Sequence, residues 1–316
     1  MLPERPLDSR PVTIAISTLE RHATLCDTLD ALCSIDLDAV LEVLIVDQST
    51  KPLDPAPWLG WLPLRVIAQN ARGLGVSRNE LIAQAKTDIV LFIDDDVLPD
   101  HDLASQHLRM YAERPSVVGV AGYERIGAKS ARRTWRNLAR SVLVRTLSPY
   151  LRHHATYSKF LDARGRPVGL VMRCGLLLCD FSRSLPCRVM TPRGCNMSFR
   201  RDVLQQVGGF DPAWIGPRRD ETDLALRIAS TLPDAEIWFN PLARLVHWMT
   251  PSGGCRSGNA RERRLRDLEC ELRFARRHLR GMGRVLCILR VLIARVPALA
   301  RHPSLFLAFL NRAETH

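Results

Sequence analysis

The sequence predicts an α/β fold, a mostly parallel sheet flanked by helices, followed by a basic helical tail. Three observations predict it. Four apolar, β-branched runs of strand length fall in the N-terminal third. Stretches with helical spacing lie between them. The C-terminal stretch sets arginines against Leu, Ile and Val at the spacing of a one-sided helix. The chain has 316 residues, 46% hydrophobic and 25% charged, which suffices for a full core and excludes a disordered chain.

The first run is Val12–Thr18 (VTIAIST), the second Leu41–Asp47 (LEVLIVD), the third Leu64–Gln69 (LRVIAQ) and the fourth Ile89–Asp94 (IVLFID). Their near-continuous apolarity is that of parallel strands covered on both faces. Leu25, Leu29 and Leu32 give the first connection a helical face, and Val76, Leu81, Ile82 and Ala85 do the same for the third. The second connection, KPLDPAPWLGWLP, holds too much proline for one regular helix. Further on, Leu224, Leu226 and Ile228 with Arg227 predict a helix that begins near Asp220 and Glu221.

How the strands finish bears on function, because ligands of open α/β sheets bind at the carboxyl ends. The ends are Ser17-Thr18, Asp47-Gln48, Gln69-Asn70 and Asp94-Asp95-Asp96, polar groups that converge on one edge. After the third strand comes NARGLGVSRNE. Gly73 and Gly75 let backbone approach a ligand, the helix start offers N–H groups and Arg78 adds a fixed positive charge. The pattern fits an anion site, and equally a helix start that needs flexible residues. Asp94, Asp95 and Asp96 repel one another unless a cation or donors offset them, and hard oxygen ligands suit Mg2+ or Mn2+. In extended backbone Asp94 and Asp96 point the same way, so both can face one metal-diphosphate. The alternative is an acidic turn that caps a helix around Leu103–Tyr111.

The formal charge is +12, unevenly spread. Residues 1–123 carry 10 basic and 18 acidic side chains, residues 124–200 carry 16 and 3, residues 201–250 carry 5 and 7, and residues 251–316 carry 14 and 5. A nucleic acid would have to avoid the acidic core and no nucleic-acid motif is present, so none is expected as a partner. Arg132, Arg133, Arg136, Arg140 and Arg145, around Trp135, Leu138 and Val142, fit a lid for an anionic acceptor. At about 100° per residue, Arg276, Arg277, Arg284, Arg290, Arg295 and Arg301 fall within an arc of about 140°, opposite Leu286, Leu289, Leu292 and Ile293, and Pro297 and Pro303 interrupt the run. No uncharged stretch there approaches the roughly 20 residues needed to cross a bilayer. The tail is expected either on an anionic membrane surface or packed on the catalytic domain.

Nine cysteines, none in a CxxC pair, and an opening MLPERPLDSRP without an apolar core lead to the expectation of a reducing, cytoplasmic setting. Cys174, Cys179, Cys187 and Cys195 fit no structural-zinc spacing and are expected as small buried hydrophobes.

Together, VTIAIST with Arg21 beyond it, LIVDQST, NARGLGVSRN, FIDDDVLP, RGCNMSFRRDVLQQVGGFDP and DETDLALRI resemble the family-2 glycosyltransferases in order and spacing, over residues 12 to about 250. The resemblance implies a GT-A fold with a Rossmann-like, mostly parallel sheet. It implies metal-dependent transfer of a sugar from a nucleotide-diphosphate donor to an acceptor hydroxyl, with inversion. Thr18 and Arg21 then lie beside the nucleotide, Asp47 on its base, and Gly73 and Arg78 near base and phosphates. Asp94 lies near ribose and metal, Asp96 is the direct ligand of Mn2+ or Mg2+, and Asp95 stands between them. His247, in RLVHW, matches a further metal or diphosphate contact, and a packed core histidine is the alternative. Asn196, in GCNMSFRR, falls on the acceptor side.

The family's acid pair reads Glu-Asp with the second residue as base; here it is Asp220-Glu221, so Glu221 is the expected general base and Asp220 the alternative. The positive end of the helix dipole is expected to keep both ionised, and an acidic helix cap remains open. The QxxRW signature of processive polysaccharide synthases is absent, which implies one sugar per encounter.

The expected organisation is a catalytic domain over 1–250 and a basic amphipathic tail over 251–316. Within the domain, 1–123 form the nucleotide-sugar half, 124–190 a variable basic insertion and 191–250 the acceptor and catalytic half. The expected acceptor is a saccharide or a lipid-linked one, in cell-surface polysaccharide or lipid-linked glycan synthesis, with the enzyme peripheral on the inner face of the cell membrane. A nucleotidyltransferase on a similar sheet would place a longer Gly- and Lys-containing loop where this chain has STLERH. An inactive membrane-associated scaffold would not need the aspartates, the acid pair and His247 together.

Overall fold

A computed structural model describes residues 11–127, 146–147, 149–181, 185–214, 219–248 and 259–301. Its strands are β1 (Val12–Thr18), β2 (Val40–Asp47), β3 (Leu64–Ala68), β4 (Ile89–Ile93), β5 (Val97–Pro99), β6 (Val117–Ile126), β7 (Gly169–Val171), β8 (Leu177–Cys179), β9 (Cys187–Arg188), β10 (Asn196–Arg200) and β11 (Glu236–His247). Nine of them form one sheet in the order β3-β2-β1-β4-β10-β6-β11-β5, with β9 on β11, while β7 and β8 form a separate antiparallel pair. Strands β3, β2, β1 and β4 are mutually parallel. β10 runs antiparallel to both β4 and β6, and β11 returns parallel to β6. The four strands expected in the N-terminal third are all present. The fourth ends at Ile93, so the aspartates open the following turn instead of extending the strand.

The helices are α1 (His22–Leu32), α2 (Leu74–Gln84), α3 (Leu103–Glu113), α4 (Arg201–Gln206), α5 (Asp220–Thr231), α6 (Ala260–His278) and α7 (Gly281–Arg301). Alternation along the strands divides the core in two. Ile14, Ile16, Ile45 and Leu91 meet Leu25 and Leu29 of α1 and Leu103 and Leu108 of α3 on one face. Ala15, Leu44, Val90 and Phe92 meet Leu81 and Ile82 of α2 and Leu224 and Ile228 of α5 on the other. Each Leu, Ile or Phe so buried contributes about 1.5–3 kcal/mol. The proline-rich connection holds only a short 3-10 turn at Ala56–Trp58.

Residues 124–190 are less separate than expected. The boundary at 123/124 falls inside β6, and β9 pairs with β11, so the described part of this stretch joins the main sheet. Arg132, Arg133, Arg136, Arg140 and Arg145 lie outside the described residues. Cys187 and Cys195 are buried, Cys174 and Cys179 are half-buried, and none of the four is in a disulfide.

The tail differs from the expected helix broken at Pro297. It breaks at Leu279–Arg280, where Leu279 is extended, and α7 continues through Pro297. One arginine arc therefore does not span both helices. Leu268, Phe274, Leu279, Cys287 and Val291 bury themselves with Val171 and Trp214, so the described tail packs on the α/β domain. The other side of α7 exposes Met282, Val285, Leu286, Leu289 and Ile293. The side chains of Arg295 and Arg301 lie outside the described set. Among the described residues no helix is long and apolar enough to cross a membrane.

Candidate active site

Strands β1, β2, β4, β6 and β11 finish at one edge of the sheet, and antiparallel β10 begins there. Thr18, at the end of β1, donates to Asp95 at 2.7 Å. Arg21, just beyond, bridges Asp95 at 2.9 Å and Asp96 Oδ2 at 2.5 Å. Burial pushes the Asp95 carboxyl up to about 7, with Arg21 and Thr18 drawing it back and the flanking aspartates adding to the rise.

Asp47 ends β2 and is buried; it accepts from the backbone of Ser49 and Leu53 and meets His22 Nε2, all at 2.8 Å. Burial alone would raise its pKa, but these partners hold it below the usual range. The neighbouring Gln48 fastens the next loop, donating to Gln69 and Ala71 and accepting from the Gly73 N–H. Gly73 needs its freedom: it starts α2 with φ of 139°, where a side chain would be strained.

His247 closes the edge from β11. Its Nε2 lies 3.1 Å from Asp96 Oδ1 and 3.7 Å from Asp94, and its Nδ1 lies 2.9 Å from Glu124 on β6. Burial favours the neutral ring, but the bond to Asp96 and those to Cys195 and Glu124 outweigh it and raise its proton affinity; a cation at Nε2 would take the place of that proton. Glu124 shows the counterpart: burial would raise it, yet His247 and Arg193 bring it down to about 2. A buried carboxylate bonded to one ring nitrogen is the arrangement that fixes a histidine's orientation.

Asp94, Cys195 and His247 each bring one ligand atom within 4.8 Å of the others. The carboxylates of Asp94 and Asp96 with an imidazole make a donor set that suits Mn2+ or Mg2+. Cys195 suits them poorly, being soft, and burial pushes its thiol up to about 12.

Arg78 connects this cluster to the acid pair. It is buried, bonds Asp220 through Nη1 and the Gly194 carbonyl at 3.1 Å, stands 3.9 Å from Asp94 and lies over the Phe210 ring. Asp220 and Glu221 open α5, as the sequence predicts. The expectation that the helix start keeps both ionised is not met at Glu221. Asp220 pairs with Arg78, whereas burial and then the charge and hydrogen bond of Asp220 raise the Glu221 carboxyl well above the usual range. Desolvation and a like charge outweigh the helix dipole here.

Asn196, expected on the acceptor side, is fully buried. Its amide donates to the carbonyls of Tyr123 and Ala243 and meets His107 Nε2 at 2.9 Å, so the side chain ties β10 to β6, β11 and α3. His107, fully enclosed, is lowered by burial to about 4. Sequence reading missed Glu124, Arg193 and Arg219. Of these only Glu124 carries a signal, a carboxylate inside the apolar run VVGVAGYE.

The fold is similar to that of several solved enzymes. GalNAc-T7, solved with UDP, GalNAc and Mn2+, matches with TM-score 0.56 and 14% identity over 85% of this chain and 51% of that one, so this chain spans about half its length. The mannosyltransferase PcManGT of Pyrobaculum calidifontis, solved with GDP-Man and Mn2+, matches with TM-score 0.56 and 18% identity over 98% and 82% of the two chains. TarS 1–349 of S. aureus, solved with UDP-GlcNAc, matches with TM-score 0.56 and 13% identity over 92% and 76%. These likenesses show the GT-A fold. A search of curated proteins by sequence finds no match. The sequence model for glycosyl transferase family 2 matches residues 13–175, more than half of the chain, including the ends of β1, β2 and β4 and the three aspartates. The chain belongs to this family and is a glycosyltransferase of GT-A fold.

Proposed function

We propose that the enzyme moves a single sugar from a nucleoside-diphosphate donor to an acceptor hydroxyl, with inversion and with Mn2+ or Mg2+. The observation that carries this reading is the meeting of Asp94, Asp96 and His247 at the strand edge, joined through Arg78 to Asp220 and Glu221. Asp94, Asp96 and His247 would hold the cation, which when bound neutralises charge on the donor's diphosphate. Thr18, Arg21, Asp47, Asp95 and the backbone at Gly73 form the nucleotide side. Arg78 adds positive charge between the two halves. Glu221, with Asp220 as alternative, takes the proton of the acceptor hydroxyl as that oxygen bonds to the anomeric carbon. The bond from that carbon to phosphate oxygen breaks with its electron pair, and the nucleoside diphosphate departs. Raised proton affinity at Glu221 makes its ionised form the stronger proton acceptor.

Calorimetric titration with UDP, dTDP and GDP, each with and without Mn2+, tests the donor site. Metal-dependent binding of one nucleotide, lost in Asp96→Ala, is the expected result; no binding to folded protein rejects the reading.

The acceptor is a saccharide or a lipid-linked one, and the enzyme works peripherally on the inner face of a membrane, in cell-surface polysaccharide or lipid-linked glycan synthesis. The exposed apolar stripe of α7, in a segment of strong positive charge, supports that location. Flotation with anionic liposomes checks it: the full chain is expected to float and the Leu289→Glu, Ile293→Glu form to stay behind. Equal flotation of the two rejects it.

A further inference from the structure

We propose that tail helix α6 is part of the catalytic apparatus: Glu271 holds Arg219, and through it the turn that presents Asp220 and Glu221. The inference rests on the reading of these two as the acid pair that activates the acceptor. Helix starts are ordinarily capped by Ser, Thr, Asp or Asn. At α5 the residue in that position is Arg219, which has φ of 74° and no side-chain cap. That backbone conformation favours glycine and persists in another residue only where the surroundings over-determine it.

Here they do. Arg219 is 3% exposed. Its Nε and Nη2 donate to the two oxygens of Glu271 at 3.2 and 2.8 Å, Nη2 also reaches the Gly175 carbonyl at 2.7 Å, and the guanidinium lies 4.2 Å from the Phe274 ring centroid. Arg290 of α7 steadies Glu271 from the other side at 3.2 Å. One turn into α5, Asp223 meets His278 at 2.8 Å and Arg277 at 3.3 Å, both at the end of α6. The two grips bracket Asp220 and Glu221. The tail is also seated closely enough to hold them. A Cβ on Gly283 would lie 2.4 Å from the Arg173 carbonyl, so α7 rests on the same turn whose Gly175 carbonyl receives Arg219.

A two-point guanidinium–carboxylate pair fixes orientation as well as energy. Misplacing a catalytic group by 1 Å can cost about 10²-fold in rate. Arg219 and Glu271 are thus positioning residues, which act through the acid pair and touch no substrate.

The test compares the full chain with Arg219→Gly and Glu271→Gln, and uses Asp220→Asn and Glu221→Gln as references. Glycine accepts the backbone conformation at 219, so Arg219→Gly removes the clamp without straining the turn. Two quantities are read: hydrogen exchange of segment 219–224, and steady-state turnover of UDP-GlcNAc or GDP-Man with Mn2+. The expected result is faster exchange confined to 219–224 and a fall in kcat of about 10- to 100-fold at unchanged donor KM. Unchanged exchange or unchanged kcat overturns the clamp. A rise in KM with exchange raised across the whole chain also overturns it, because the pair is then merely structural. If both reference variants are slow while the clamp variants run at the wild-type rate, the clamp alone fails. Reference variants at the wild-type rate reject the acid-pair reading itself.

Discussion

Thr18 and Asp95 are 77 residues apart in the chain, and Arg219 and Glu271 are 52 apart. Thr18, Asp95 and Arg219 are buried and Glu271 is half-buried, and the two pairs reach the site by different routes. Thr18 ends one buried strand and Asp95 stands two residues past another, and the pairing of β1 with β4 brings the strand ends together. Any sequence that forms those two strands puts these residues on one edge. No such rule joins Arg219 to Glu271. One starts a helix in an unusual backbone conformation; the other is one carboxylate in an arginine-rich amphipathic run whose packing partner its own spacing does not name. Polar groups at strand ends are placed by the sheet, whereas groups on a packed helix are placed by whatever that helix covers.

Removing the proposed base attacks the comparison where the largest effect is expected. Glu221→Gln keeps the shape of the side chain and loses its proton affinity, so kcat should fall by about 10²–10⁴-fold with donor binding kept. Stopped-turnover assays beside nucleotide titration read the two separately. A variant within a few-fold of wild type would return α5 to the role of an acidic helix start and leave the donor edge as the whole of the site.

Phe274→Ala tests the other side. Phe274 is fully buried beneath Arg219 and packs in the tail cluster, and its truncation is expected to cost about 3–5 kcal/mol in urea unfolding. A helix merely resting on the surface would lose less than about 0.5 kcal/mol. A small loss would restore the tail as an independent surface helix.

Glu124→Gln reads an intermediate effect at the donor edge. The change leaves His247 Nδ1 a neutral partner, and Mn2+ affinity, measured with nucleotide present, is expected to drop about 10- to 100-fold. Affinity equal to wild type would mean that Asp94 and Asp96 hold the cation without help from an oriented imidazole.

These outcomes bear on what was legible. The four N-terminal strands, the start of α5 and the convergence of Thr18 with Asp94, Asp95 and Asp96 follow from apolar runs and from what terminates them, whereas His247 was legible only through the family resemblance. Asn196 was legible as a position but not as a contact, because its neighbours come from β6, β11 and α3, three elements separate in sequence. The break in the tail was misplaced because proline is a local signal, whereas the break at Leu279 comes with burial of that residue against the domain. The proton affinity of Glu221 was misjudged for the same kind of reason: a helix dipole can be read from order along the chain, while burial cannot.

The smallest effect sharpens that last point. Burial and the Asp220 charge both raise the Glu221 carboxyl, so the folded protein keeps a proton there that the unfolded chain gives up. The stability this contributes is full below the ordinary value of 4.5 and is lost as pH rises through the folded value. Catalysis runs the opposite way, since only the ionised carboxylate accepts a proton. The acidic limb of the kcat profile should therefore lie above the ordinary range. Asp220→Asn removes the like charge and frees Arg78 to act on Glu221, and both changes favour the ionised form, so the limb should move to lower pH. A limb that stays in place would assign the whole shift to burial. Loss of all turnover in Asp220→Asn would transfer the base to Asp220 and make Glu221 its protonated neighbour.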